Sequence, residues 1–255
     1  MTDFTLEPHP QFAGVPGPVL TVVMDGVGIG RGDEGDAVHL AHTPVLDALA
    51  KGPWTTTLRA HGVSVGLPSD DDMGNSEVGH NALGAGRVFD QGAKLVNAAI
   101  ESGALFAGEA WQRAVAKVKG SGQPLHFIGL LSDGNVHSHE QHLFALLRRA
   151  AKDGVKALRV HALLDGRDVP ETSALTYVER LEAVLAELRA AGCDARVASG
   201  GGRMKVTMDR YEAEWAMVER GWRLHVLGEG KAFGSLKEAV EGLRAAVQGP
   251  VEKTG

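Results

Sequence analysis

The chain has 255 residues, 44% of them hydrophobic and 23% charged, with a formal net charge of −6. That is globular composition, with apolar material for one large or two small domains, and it lacks the basic excess of a nucleic-acid binder. It leaves anionic small substrates open, because those are met by local arginines and not by net charge. Aromatics make up only 5%, so the core falls to Val, Leu and Ala, and the single cysteine, Cys193, excludes an intrachain disulfide and fits a reducing compartment.

Met1 to Gly17 contains prolines and lacks a basic segment followed by an apolar one. It is expected to be a flexible, untargeted arm of a cytoplasmic protein. Val19 to Met24 is a continuous apolar run, expected as a strand buried on both faces of a parallel sheet and ending at Asp25-Gly26. Thr43, Pro44 and Gly52 mark the cap, first turn and stop of a short helix. Gly79 to Arg87, rich in glycine and alanine, is expected to be irregular. Gly92 to Ser102 and Trp111 to Val118 read as helices.

From there a regular alternation begins. Leu125 to Leu131, Leu158 to Leu164, Ala195 to Ala198 and Leu224 to Leu227 read as strands. Glu140 to Asp153, Ser173 to Ala191, Met208 to Arg220 and Ser235 to Val247 read as helices. Strands alternating with helices imply a mostly parallel sheet covered on both faces. The first block offers one strand and cannot close a sheet alone. The expected organisation is an arm at 1–17, a first block at 18–90 and a second at 91–255, divided near the glycine-rich stretch Gly84 to Gly92.

In a parallel sheet the carboxyl ends of the strands lie together, and ligands bind there. Asp25 follows a strand-like run; alone it reads as a loop aspartate capping a turn, and beside Ser76 it reads as a ligand of a hard divalent cation. Ser76 lies in Asp72-Met73-Gly74-Asn75-Ser76-Glu77-Val78-Gly79-His80. No G-x-S-x-G elbow surrounds it, so its acidic neighbours point to a metal as the activator of its hydroxyl. The run Asp70-Asp71-Asp72 reads as a solvated loop.

His137 follows a strand on Ser132-Asp133-Gly134 and reads either as a donor to an anionic ligand or as a histidine bonded to backbone. His139 and His142 favour the second role. Arg167 and Asp168 follow the next strand, and Arg203 follows the next, with Arg210 beyond it. Arginine forks suit phosphate or carboxylate, and an aspartate accepts from a hydroxyl. Together His137, Arg167, Asp168, Arg203 and Arg210 describe a cleft for a hydroxylated, doubly anionic small molecule.

Met24-Asp25-Gly26, the Ser76 block, Leu131-Ser132-Asp133-Gly134-Asn135-Val136-His137-Ser138 and Leu164-Asp165-Gly166-Arg167-Asp168 resemble cofactor-independent phosphoglycerate mutase. Ser199 to Met204, with Val206 to Arg210, resembles the plant and trypanosomatid branch, which is one residue longer there than the common bacterial form. The resemblance implies an α/β fold: a three-layer, parallel-sheet phosphotransferase domain inserted in an alkaline-phosphatase-like domain. It implies interconversion of 3- and 2-phosphoglycerate in glycolysis without 2,3-bisphosphoglycerate. Ser76 would be a phosphoserine nucleophile and a ligand, with Asp25, of one of two manganese ions. His137, Arg167, Asp168, Arg203 and Arg210 would hold the substrate, and the complete enzyme would be a monomer. Family members run further and carry additional Asp, His, Arg and Lys motifs. The expectation is therefore a chain holding only the N-terminal part of the enzyme, inactive alone, with a non-catalytic phosphoglycerate-binding module or a related metal-dependent phosphatase or phosphopentomutase as the alternatives.

Overall fold

The computed structural model describes residues 8–24, 27–209 and 212–248. The chain divides into two compact units, Met1–Leu58 and Arg59–Gly255. The first carries two short helices, α1 (Ala37–Leu40) and α2 (Pro44–Ala50). Asp36 starts α1 by accepting from the His39 amide at 3.0 Å, and Pro44 opens α2, where a missing N–H is harmless. Val19 to Met24, expected as a buried strand, is neither: the run is exposed, with Leu20 at 86%. A strand exists through ladder partners, and among the described residues this run has none.

The second unit orders its elements as a 3₁₀ turn (Gly62–Val65), α3 (Ser76–Ala85), α4 (Gly92–Glu101), α5 (Ala104–Ala107), α6 (Glu109–Ser121), β1 (Leu125–Leu131), α7 (Glu140–Lys152), β2 (Ala157–Leu164), α8 (Ala174–Ala190), β3 (Asp194–Gly202), α9 (Trp215–His225) and α10 (Leu236–Gln248). The glycine-rich stretch Gly84 to Gly92 lies inside this unit.

Two expectations are corrected. Most of Gly79 to Arg87 is helical, because the Asn75 side chain caps α3 by accepting from the Val78 amide at 2.9 Å, and alanines carry the helix to Gly86. Leu224 to Leu227 is no strand: Leu224 and His225 close α9 and Val226 caps it. A four-residue apolar run is ambiguous in period, and contacts at positions 217, 221 and 225 settle it as helix. The remaining strands and helices of the second unit agree with the sequence reading to within a few residues, except that β3 continues to Gly202 and α9 starts late.

The sheet is parallel in the order β1-β2-β3. Leu125, Phe127 and Leu131 share one face with Leu158, Val160, Ala162 and Ala195, and α7 and α8 pack there through Phe144, Leu147, Val178, Leu181, Val184 and Leu185. The other face carries His126, Ile128 and His161. It meets α9 beside β3 and leaves His126 and Ile128 exposed. A register shift between Val160 and His161 adds one residue, Ala198, to β3 and brings Ser199 opposite His161. No described helix is long and apolar enough to cross a membrane.

Candidate functional site

Register places Leu131, Leu164 and Gly202 side by side at the carboxyl end of the sheet. The residues that follow, Ser132, Asp165 and Arg203, therefore meet. Ser132 Oγ donates to Asp165 Oδ2 at 2.7 Å. Arg203 Nη1 donates to Asp165 Oδ1 at 2.9 Å and to Asp168 Oδ2 at 2.7 Å. The amides of Arg167 and Asp168 fold back onto Asp165 Oδ1 at 3.1 and 3.0 Å. Asp165 is thus the hub of the loop that presents Arg167 and Asp168. Burial opposes its ionisation, but Ser132, the two amides and Arg203 outweigh that and hold its carboxyl below the usual carboxylate range.

Arg203 is 4% exposed, and its Nε is a buried donor with no partner among the described residues. Its charge is shared by two carboxylates, so it is fixed in place rather than available as a bare cation. Asp168 is less enclosed, with His137 Nε2 3.9 Å from its Oδ2. Arg167 is exposed and lies against Met204, Nη1 to Sδ 3.9 Å, without an ion pair among the described residues. His137, Asp168 and Arg203 therefore come together, with Arg167 on the same loop as Asp168. Arg210 lies outside the described residues, as does Asp25.

The Ser76 block reaches the same strand end. Asp72 accepts from Ser69 N and Oγ, both at 2.8 Å, and from Asn135 Nδ2 on the loop that carries His137. Burial would raise the Asp72 carboxyl, but Asn135, Ser69 and His139 together lower it. Gly74 has to be glycine, since a Cβ there would sit 1.9 Å from the Ala60 carbonyl oxygen. Ser76 is exposed at the first turn of α3, its Oγ 3.2 Å from His80 Nδ1. An exposed hydroxyl at a helix N-terminus sits where the dipole favours anionic groups.

Reading by sequence missed Asp165, Ser132 and Asn135 as site residues and left Asp72 as a solvated loop. Asp165 carried a signal, being the first polar residue after a buried strand. Asp72 and Asn135 carried none, because they meet only across 63 positions of chain. His139 bonds backbone as expected, its Nδ1 capping α7 by accepting from the Gln141 amide at 3.1 Å, whereas His142 bonds a side chain, the Asn97 amide oxygen on α4.

Among the described residues no group of three or more His, Cys, Asp or Glu could hold a metal ion. Ser76 is the one expected ligand within them, so these residues do not by themselves fit the two-metal centre that the resemblance implies.

The chain is of the parallel α/β class, and its strand ends, where such sheets place ligand sites, gather an anchored arginine, a second exposed arginine, a histidine and a carboxylate. The family described as BPG-independent PGAM N-terminus matches residues 96–252. The chain is 57% identical over 227 residues to the 2,3-bisphosphoglycerate-independent phosphoglycerate mutase of Trypanosoma brucei brucei, covering 89% of this chain and 41% of that protein. It is 52% identical over 246 residues to the enzyme of that name from Zea mays, covering 95% and 43%. A solved structure of Leishmania mexicana phosphoglycerate mutase at low cobalt concentration superposes with a TM-score of 0.81 at 56% identity, over 88% of this chain and 41% of that one. The chain therefore belongs to the N-terminal family of BPG-independent phosphoglycerate mutases, and spans about two fifths of the length of these relatives.

Proposed function

We propose that this chain supplies the phosphoglycerate-binding cleft and the serine acceptor of a 2,3-bisphosphoglycerate-independent phosphoglycerate mutase. The observation that carries the reading is the strand-end cluster of Asp165, Asp168 and Arg203, with His137 and Arg167 beside it. Arg203 is held by two carboxylates, which orients its fork. Arg167 presents its fork outward for the phosphate or carboxylate of the ligand. Asp168 and His137 face a hydroxyl or an anionic oxygen. Ser76 is the phosphoryl acceptor in this reading: its Oγ takes the group from the 3-position, and the group returns to the 2-hydroxyl. The same reading takes Ser76 as a phosphoserine during turnover, manganese as the metal and the cytoplasm as the setting. The metal needs donors beyond those the described residues bring together.

That shortage favours a second reading of the chain by itself, as a binding module without turnover. Calorimetric titration with 2-phosphoglycerate and a coupled turnover assay with added Mn²⁺ separate the two. The expected result is binding without robust turnover, and Arg167→Ala weakens binding about tenfold through the loss of a charge-assisted contact. Turnover abolished by Ser76→Ala would sink the binding-only reading. Absence of binding by the unaltered chain would sink both.

A further inference from the structure

Thr207 has a φ of 82°. A β-branched residue takes this left-handed backbone only under constraint, and such strain marks segments held for a purpose. One stripe of α9 supplies the constraint. The Met217 carbonyl accepts from the Thr207 amide at 3.1 Å. One turn on, Gly221 admits the turn so closely that a Cβ there would stand 2.3 Å from Thr207 Oγ1. A further turn on, His225 Nε2 lies 3.0 Å from that same Oγ1.

The other nitrogen of His225 joins the sheet. Its Nδ1 is 2.7 Å from Ser199 Oγ on β3. Ser199 Oγ is 2.6 Å from His161 Nδ1 on β2, and His161 Nε2 is 2.8 Å from His126 Nδ1 on β1. A chain of hydrogen bonds thus crosses all three strands and ends on the strained threonine. A neutral imidazole has one donor and one acceptor, so the links can all run in one direction. Burial pushes the His225 pKa down, which disfavours the charged imidazolium. The turn on this anchor is the continuation of Arg203: Lys205 N donates to the Gly202 carbonyl at 2.8 Å and Met208 N to the Arg203 carbonyl at 3.3 Å.

We propose that His225 is a positioning residue, which latches the Met204–Asp209 turn and the adjoining Arg203 to the sheet by tying Thr207 to Ser199. Its bearing on ligand rests on the phosphoglycerate reading above; the latch itself does not. No ligand atom has to touch His225, which acts through Thr207.

Amide hydrogen exchange in the turn tests the latch, with Thr207 and Met208 as reporters and β1 and β2 as internal controls. His225→Leu is expected to speed exchange at those reporters about tenfold, the effect of losing the half-buried link between Thr207 and Ser199, while the strands stay protected. His225→Gln keeps a donor and an acceptor and is expected to restore exchange to within about threefold of the unaltered chain, which a role in bulk packing alone would not require. Ser199→Ala, which cuts the same chain one link away, serves should His225→Leu fail to fold. Unchanged exchange in His225→Leu, or in Ser199→Ala where it stands in, overturns the proposal, as does His225→Gln exchanging as fast as His225→Leu. Calorimetry with 2-phosphoglycerate on the same samples is expected to show weaker binding in His225→Leu and recovery in His225→Gln. A latch seen by exchange in a chain that binds no 2-phosphoglycerate supports the latch and overturns the phosphoglycerate reading.

Discussion

Arg203 shows how one buried charge ties two strand-end loops together. Its Nη1 sits between Asp165 and Asp168, so two carboxylates share one guanidinium in a place nearly closed to water. Removing one member of such a cluster leaves the rest under-compensated, which is worse than never having built it. Asp165→Asn is expected to destabilise the chain by about 3 kcal/mol in urea denaturation. The same carboxylate gives a pH signature. Its pKa is lowered in the folded state, so its contribution is complete above the ordinary carboxylate pKa of about 4 and is lost as pH falls through the depressed value. Denaturation series between neutral and strongly acid pH are expected to fall less steeply in Asp165→Asn than in the unaltered chain; parallel curves would refute the assignment. Individual residues at strand ends were legible where a polar cluster follows an apolar run, as with Arg167 and Asp168. They were not legible where a partner is distant in sequence, as with Asp72 and Asn135.

Among the elements, α8 carries the largest buried face, with Val178, Leu181 and Leu185 fully enclosed against the sheet. Leu181→Ala would leave a cavity walled by strands and helices that cannot collapse freely. The expected loss is about 3 kcal/mol of unfolding free energy, with a correspondingly lower denaturant midpoint. A loss under about 1 kcal/mol would mean that the site relaxes far more than a close-packed core allows. This alternating region was readable because long helical periods and buried β-rich runs each leave their own spacing. Two elements were misread for specific reasons. In α3 a side-chain cap and alanines override the glycines. In α9 a short apolar run at the helix end mimics a strand.

For the molecule as a whole, the first unit has the least buried material, and neither α1 nor α2 contributes a buried residue. Val22→Asp removes no packing and is expected to change thermal stability by no more than about 0.5 kcal/mol, while raising solubility by breaking an exposed apolar run. A large drop in melting temperature would show that the run is packed in solution. The sequence by itself determined the parallel α/β order, the position of β1, β2, α7 and α8, the family and the strand-end residues, because these depend on local period and on motif order. Only the tertiary structure decided that Val19 to Met24 has no ladder partner among the described residues, that Arg203 is spent on Asp165 and Asp168, that Asp72 ties the Ser76 block to Asn135, and that three histidines and Ser199 form one chain ending on Thr207. Each of those depends on which groups meet across the fold, and hydrogen bonds and ion pairs between distant residues leave no periodic trace in the chain that makes them.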